Sequence, residues 1–147
     1  MKSIIRNKVT GLLLVAFFWS APLHSSGNSP DTGIDFHTGT WQEVLEQAKK
    51  ENKLVFLDLY ATWCGPCKVL KSKTFPDAVV GQFFNENFIN YAVDAEKGIG
   101  VELAKKYNII GYPTLLFVDS SGNLVAKTMG YHTPEQLIEV GEQVVRR

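Results

Sequence analysis

Cysteine is scarce in this chain: only two occur among its 147 residues, Cys64 and Cys67. A small scaffold held together by disulfides needs several cysteine pairs, so that class of protein is excluded. A structural zinc site needs four ligands. No second CxxC exists, and His24, His37 and His132 have no paired spacing. We therefore expect no bound metal.

An excess of charge is also missing. The chain has 15 basic and 15 acidic residues. Removing the first 27 residues would leave 12 basic against 15 acidic residues, a mild net charge of −3. Such a balance provides neither the basic surface that binds nucleic acid nor a polybasic patch for membranes. We expect no nucleic-acid partner.

The apolar run at the N-terminus, Val9–Trp19, is interrupted by Thr10 and Gly11 and falls short of the roughly 20 residues of a membrane span. Three basic residues precede it and small residues follow it. This layout predicts a signal peptide over residues 1–27, with cleavage somewhere from Ala21 to Gly27, and hence a periplasmic or otherwise exported protein. An uncleaved membrane anchor is the alternative. A lipid anchor is excluded because no cysteine lies near the cleavage region.

Residues 28–39 are polar and glycine-rich, which predicts a flexible leader. Residues 40–147 are then long enough for one domain with one core. We expect this domain to be a monomer.

Hydrophobic periodicity and capping signals predict helices and strands in an order typical of an α/β domain, with a central mixed β-sheet flanked by helices. The predicted elements are a helix from Thr40 to about Glu51, a strand Lys53–Tyr60, a helix Cys64–Lys73, a helix from Asp77 to about Asn85, a strand Phe88–Asp94, a helix Gly100–Tyr107, strands Thr114–Val118 and Leu124–Met129, and a last helix capped by Thr133.

The two cysteines directly follow the apolar strand and begin a helix. Cysteines three apart in a helical turn have Cα atoms roughly 5–6 Å apart, within the range of a disulfide. Cys64 would lie at the helix N-terminus, where the dipole lowers a thiol pKa, so it is the candidate nucleophile and Cys67 the resolving thiol. Pro66 suits the first turn. A purely structural disulfide is the alternative, although so small a loop restricts the unfolded chain little.

The chain resembles the thioredoxin superfamily from about Thr40 to Arg147. The resemblance is carried by Trp63-Cys64-Gly65-Pro66-Cys67-Lys68, by Asp58 six residues before Cys64, and by Gly111-Tyr112-Pro113-Thr114. Within the superfamily it is most similar to periplasmic proteins related to the C-terminal domain of DsbD-type thiol:disulfide interchange proteins. The closer match is carried by Asp58-Leu59-Tyr60-Ala61, Thr74-Phe75 and Asp119-Ser120-Ser121-Gly122.

The resemblance implies that Pro113 is cis and lies beside the cysteines, and that the backbone at Tyr112 pairs with an extended substrate. A trans proline at a strand start is the alternative. Trp63 and Tyr112 are expected to flank the cysteines on an apolar docking surface, with Gly65 and Pro66 between them. The alternative is that both aromatic residues fill the core.

The resemblance also implies that Asp58 exchanges a proton with Cys67. A carboxyl group within an apolar strand should have a raised pKa. The alternative is a carboxylate satisfied by backbone donors. Two departures change the charges near this residue. Thioredoxins proper carry a lysine on the next strand, where this chain has Asn90, and DsbD-type domains carry a glutamate where it has Lys71.

Together these features predict an exported thiol–disulfide oxidoreductase that reduces protein disulfides through Cys64 and Cys67 and needs no cofactor. The resemblance implies a membrane electron conductor as the reducing partner. The open alternatives within this class are a disulfide oxidase or isomerase and a thiol reductase for apocytochrome c. A thioredoxin-fold binding or chaperone module with an incidental disulfide is the alternative from another class.

Overall fold

The computed structural model describes residues 32–147, and the signal peptide expected over residues 1–27 lies outside the described residues. The elements in chain order are α1 Trp41–Glu51, β1 Leu54–Tyr60, α2 Gly65–Val69, α3 Ala78–Asn87, β2 Phe88–Asp94, α4 Ile99–Lys106, β3 Thr114–Val118, β4 Leu124–Met129 and α5 Pro134–Val145. The order expected from the sequence is confirmed. None of the helices in this described part is long and apolar enough to cross a membrane.

The four strands form one mixed sheet in the order β2-β1-β3-β4. β1 runs parallel to β2 and antiparallel to β3, and β4 is antiparallel to β3. Buried side chains of α1 and α4 pack on one face of the sheet, and those of α3 and α5 pack on the other. The predicted α/β architecture, a thioredoxin fold with a central mixed sheet flanked by helices, is confirmed.

The central strand β1 sends alternate side chains to the two faces, as strand geometry requires. Val55, Leu57 and Leu59 belong to the core beneath α1 and α4. Phe56 belongs to the other core, which is built around fully buried phenylalanines. This core also contains Leu70, Val80 and Leu137. By the same alternation Asp58 projects to the side of Phe56, toward the chain that follows the cysteines.

Phe56 is the centre of the second core. Its ring lies 4.7 Å from that of Phe84 and 5.4 Å from that of Phe117, centroid to centroid. All three are fully buried. Each contributes roughly 2–3 kcal/mol of transfer free energy, with a further increment for the tilted and edge-on ring contacts. This core anchors β1 and holds its C-terminal end, where the cysteines begin, in place.

The helix after the cysteines differs from the uniform α-helix predicted to Lys73. α2 is followed by a π-helical turn, Leu70–Thr74, in which the N–H of Phe75 donates to the carbonyl of Leu70 at 2.9 Å. The fully buried Thr74 donates its hydroxyl to the carbonyl of His132 at 2.7 Å. That bond ties the turn to the loop before α5. Local helical periodicity reveals neither the π-helical turn nor this contact with a distant part of the chain.

Residues 33–37 differ from the expected flexible leader. The N–H of Ile34 donates to the carbonyl of Phe75 at 2.7 Å, and the N–H of His37 donates to the carbonyl of Asn90 at 2.8 Å. The ring of Phe36 packs against Phe75 with centroids 5.2 Å apart. This segment thus joins the end of the π-helical turn to β2 and belongs to the folded domain.

Gly81 shows how closely this segment approaches α3. A Cβ at Gly81 would lie 2.3 Å from the carbonyl oxygen of Thr32 and 2.5 Å from the carbonyl carbon of Gly33. Because both contacts are with backbone, they are not relieved by rotating a side chain. At a helix position with free space, replacing glycine by alanine would stabilise the helix by up to about 1 kcal/mol.

We expect Gly81→Ala to destabilise the domain by roughly 1–3 kcal/mol, since the added methyl must push the segment of residues 32–37 away. Gly65→Ala is the matched control, because no atom of the described residues lies within 4 Å of a Cβ there. Urea unfolding of both variants measures the effect. Equal stability of Gly81→Ala and the wild type would show that the segment is not packed on α3 in solution.

Candidate active site

The cysteines lie where β1 gives way to α2, at the C-terminal end of the central strand. They form a disulfide with Cα atoms 5.3 Å apart. This agrees with the separation expected from their spacing. Cys64 occupies the N-cap position of α2, and Pro66 lies in the first turn. The local sequence therefore places the disulfide at a helix N-terminus, where an anionic sulfur is favoured.

The N-cap interaction is made by sulfur. The backbone N–H of Cys67 donates to Sγ of Cys64 at 3.2 Å. When the disulfide opens, the same donor can stabilise a thiolate on Cys64. Both cysteines are buried in the disulfide form, since Cys64 is 2% exposed and Cys67 is 7% exposed. They form one buried cluster with Ala61, and the side chains of Tyr60 and Tyr112 pack against it.

The peptide bond between Tyr112 and Pro113 is cis, as the resemblance implies. The N–H of Gly130 donates to the carbonyl of Pro113 at 2.9 Å, and the hydroxyl of Thr114 donates to the carbonyl of Gly111 at 2.7 Å. These bonds hold the loop before β3 beside the disulfide. Tyr112 thus contacts the cysteine cluster although it is 45 residues from Cys67.

Trp63 is not core filler, because 66% of its surface is exposed. Its ring meets that of Tyr112 edge-on, with centroids 5.9 Å apart and planes at 70°. Its Nε1 donates to the carboxylate of Glu96 at 3.0 and 3.1 Å. Sequence reasoning missed Glu96, since it lies in the turn after β2, 33 residues from Trp63, with no motif to link the two.

Asp58 is buried, with 5% of its surface exposed. Its Oδ1 is buried and has no hydrogen-bond partner among residues 32–147, which argues against the alternative of a carboxylate fully satisfied by backbone donors. Burial raises the pKa of Asp58 from its ordinary value of 3.8 to about 7, against the opposing effect of the positive charge of Lys71. A carboxyl group with such a pKa can both take up and release a proton near neutral pH.

Asp58 and Cys67 line a common cavity of about 700 Å³, and Tyr112 is not among its lining residues. Its wall is mainly apolar and includes Phe36 and Phe75, and its charged lining residues besides Asp58 are Lys68 and Lys71. The structure therefore brings together the expected residues Asp58, Cys64, Cys67, Trp63, Tyr112 and Pro113. It adds Glu96 and Phe36, which the sequence analysis did not select.

No group of three or more histidine, cysteine, aspartate or glutamate side chains is placed to hold a metal ion within residues 32–147. The chemistry that the described site offers is that of a dithiol–disulfide pair with an adjacent buried carboxyl group.

A protein-family profile described as a thioredoxin-like domain matches residues 41–145. The chain belongs to the thioredoxin-like family. The thiol:disulfide interchange protein DsbD of Yersinia pestis (strain Pestoides F) is 40% identical over 101 residues, which are 67% of this chain and 17% of DsbD. The chain thus spans about a sixth of the length of this relative.

Two solved structures are similar over most of their own length. One is a proposed disulphide-isomerase from Bacteroides thetaiotaomicron, with 46% identity and a TM-score of 0.67, covering 78% of this chain and 94% of that one. The other is the oxidised C-terminal domain of DsbD from Neisseria meningitidis, with 30% identity and a TM-score of 0.60, covering 75% and 97%. Family, fold and disulfide together support thiol–disulfide oxidoreductase activity.

The raised pKa of Asp58 predicts how stability varies with pH. The folded state retains a proton that the unfolded chain releases near pH 4, so stability falls as pH rises from about 4 to about 7 and stays low above that. A difference of about three pKa units corresponds to on the order of 4 kcal/mol. We expect Asp58→Asn to remove most of this pH dependence, because the amide does not titrate.

Urea unfolding of the oxidised protein at pH 5 and pH 8 tests this expectation. Glu86→Gln, which changes an exposed carboxylate on α3, is the control and should leave the pH dependence as it is in the wild type. An identical loss of stability between pH 5 and pH 8 in Asp58→Asn and the wild type would show that Asp58 titrates normally.

Proposed function

We propose that this chain is an exported thiol–disulfide oxidoreductase that reduces disulfides in protein substrates. The observation that carries the proposal is the position of the Cys64–Cys67 disulfide at the N-terminus of α2, with Cys67 lining the same cavity as the buried Asp58. This arrangement supplies both a stabilised thiolate and a proton acceptor for the second thiol.

In the first step the reduced protein attacks. The thiolate of Cys64 bonds to one sulfur of the substrate disulfide, and the other substrate sulfur leaves as a thiolate. The N–H of Cys67, which donates to Sγ of Cys64 at 3.2 Å in the disulfide form, favours the anionic state of the nucleophile. The product is a mixed disulfide between Cys64 and the substrate.

In the second step Cys67 resolves the mixed disulfide. Its thiol transfers a proton to the carboxylate of Asp58, directly or through water in their common cavity. The Cys67 thiolate then bonds to Sγ of Cys64, and the substrate sulfur leaves as a thiolate. Two electrons have passed to the substrate, and the Cys64–Cys67 disulfide is restored. No cofactor takes part.

Substrates would dock on the exposed surface beside the disulfide. Trp63 and Tyr112 offer aromatic contact area, and Gly65 leaves open space, since within residues 32–147 no atom lies within 4 Å of a Cβ at that position. Pro66 and the cis Pro113 border this surface. The backbone at Tyr112 would pair with an extended segment of the substrate, as in β-strand addition.

A reductase in an oxidising compartment needs a source of electrons. The relatives named DsbD support a membrane electron conductor as that source, since this chain is similar to the C-terminal part of such proteins. The export signal expected over residues 1–27 is consistent with this partner.

Disulfide isomerisation is the second candidate, because the Bacteroides thetaiotaomicron relative is described as a proposed disulphide-isomerase. The two functions differ in the reduction potential they require. We expect the Cys64–Cys67 pair to equilibrate near the value known for thioredoxin, about −270 mV, when titrated against glutathione and dithiothreitol mixtures. A potential near about −180 mV, as in protein disulfide isomerase, would favour isomerisation, and one near about −120 mV would make the protein an oxidant.

Replacement of the resolving cysteine should trap substrates. We expect Cys67→Ser to accumulate mixed disulfides through Cys64, visible as high-mass bands on non-reducing gels that disappear with dithiothreitol. Cys64→Ser is the matched control and should trap far less, because the serine hydroxyl is no substitute for the attacking thiolate. Absence of bands from Cys67→Ser under oxidising export conditions would remove Cys64 as the nucleophile.

A binding module that uses the surface of Trp63 and Tyr112 would not need the cysteines. The variant with both Cys64 and Cys67 changed to serine separates the two functions. Loss of complementation in cells agrees with the oxidoreductase, whereas full complementation would show that the disulfide is incidental.

A further inference from the structure

The sheet provides no counter-charge for Asp58. Ala92 of β2 is its partner on one side and Leu115 of β3 its partner on the other. On the same face of β2, two residues to either side of Ala92, lie Asn90 and Asp94. Asn90 is neutral and donates its amide to the carbonyl of Asp35 and to Asn85. Asp94 is itself an acid and pairs with Lys97 at 3.2 Å. An anionic carboxylate at this depth is disfavoured unless a cation comes from another element.

The chain after the cysteines supplies that cation. Lys71 follows Cys67 by four residues of helical chain, a spacing that places two side chains on one face. Both residues line the cavity that contains Asp58. The stem of Lys71 can therefore lie along the apolar wall while its ammonium group remains exposed to water and faces the carboxyl group.

We propose that Lys71 is the counter-charge of Asp58 and favours the ionised form that accepts the proton of Cys67. Lys71 touches neither the disulfide nor the substrate in this scheme and acts only through Asp58. The catalytic consequence rests on the proposed function, whereas the interaction between the two charges does not.

The other groups that border Asp58 do not replace Lys71. Residues 33–36 contribute Gly33, Ile34 and Phe36 to the cavity, none of which is charged. Tyr60 of β1 and Lys68 of α2 also line it. Lys68 has the same charge, but it directly follows Cys67 and therefore points away from the helix face that Cys67 and Lys71 share. Lys68 is therefore a matched control within the same cavity.

The charge interaction can be measured without any substrate. In the oxidised protein, the ¹³C chemical shift of the Asp58 carboxyl carbon reports its titration. We expect Lys71→Gln to move the midpoint upward, because the anionic form loses its counter-charge, whereas Lys71→Arg should restore it. Lys68→Gln should leave it near the wild-type value. A midpoint in Lys71→Gln equal to that of the wild type would overturn the proposal, as would an equal shift in Lys68→Gln.

The kinetic consequence is measured on a purified mixed disulfide between the protein and a fluorescent peptide. If the midpoint rises by about one unit from about 7, the ionised fraction at pH 7 falls from about half to about a tenth, so resolution by Cys67 should slow about fivefold. The rate of attack by Cys64 should change less, and the pH profile of resolution should move upward. Lys71→Arg should recover the wild-type profile.

A double-mutant cycle separates this role from a structural one. In the Asp58→Asn background, Lys71→Gln should have no further effect on resolution, since no carboxylate remains to respond. An undiminished effect in that background would show that Lys71 acts by another route. If the wild type forms no mixed disulfide at all, the proposed function fails, and the NMR midpoint still decides whether Lys71 is the counter-charge.

Discussion

Asp58 lies in the middle of the central strand, with Leu57 and Leu59 on either side in the chain and Ala92 and Leu115 beside it in the sheet. Burial in this setting penalises the charged carboxylate, yet a proton acceptor for Cys67 must become charged. Both demands are met because its pKa is raised only to about 7. The sheet, the cavity and the chain after the cysteines all act on this one group.

The alternation along β1 and the packing of the core around Phe56 fix the position of Asp58. Period-two alternation along β1 sends Phe56 and Asp58 to the same face, and the phenylalanine core around Phe56 fixes the strand. The cysteines follow directly from the end of that strand, so their distance from Asp58 is set by the sheet rather than by a mobile loop. The π-helical turn and the segment of residues 33–37 then close the wall of the cavity.

The disulfide borders two different surroundings. Tyr112 packs against the cysteine cluster and, with the exposed Trp63, offers an apolar surface of the kind that binds another polypeptide. Cys67 also lines a cavity that contains a titratable carboxyl group and that neither Tyr112 nor Trp63 lines. In the proposed reaction, substrate recognition belongs to the aromatic surface and proton transfer to the cavity.

Much of the fold and part of the site could be predicted from the sequence, since both depend on local patterns. Apolar runs located β1 to β4, capping residues located α1 and α5, and the CxxC spacing located the disulfide. Two features could not be predicted in this way, namely the π-helical turn and the docking of Phe36. Thr74 of the turn bonds to His132, and Phe36 packs against Phe75, and both are contacts between residues far apart in the chain.

The sequence by itself therefore determined the order of elements and the burial of an acid on the central strand, and the family resemblance implied the cis Pro113 beside the cysteines. The resemblance also pointed to Asn90 and Lys71 near that acid, but only the tertiary structure decided how the residues around it are arranged. It placed the neutral Asn90 and Ala92 in the adjacent strand, Lys71 in the same cavity and Glu96 on the indole of Trp63. The physical reason is that charge interactions and hydrogen bonds depend on distance in space, which sequence separation does not give.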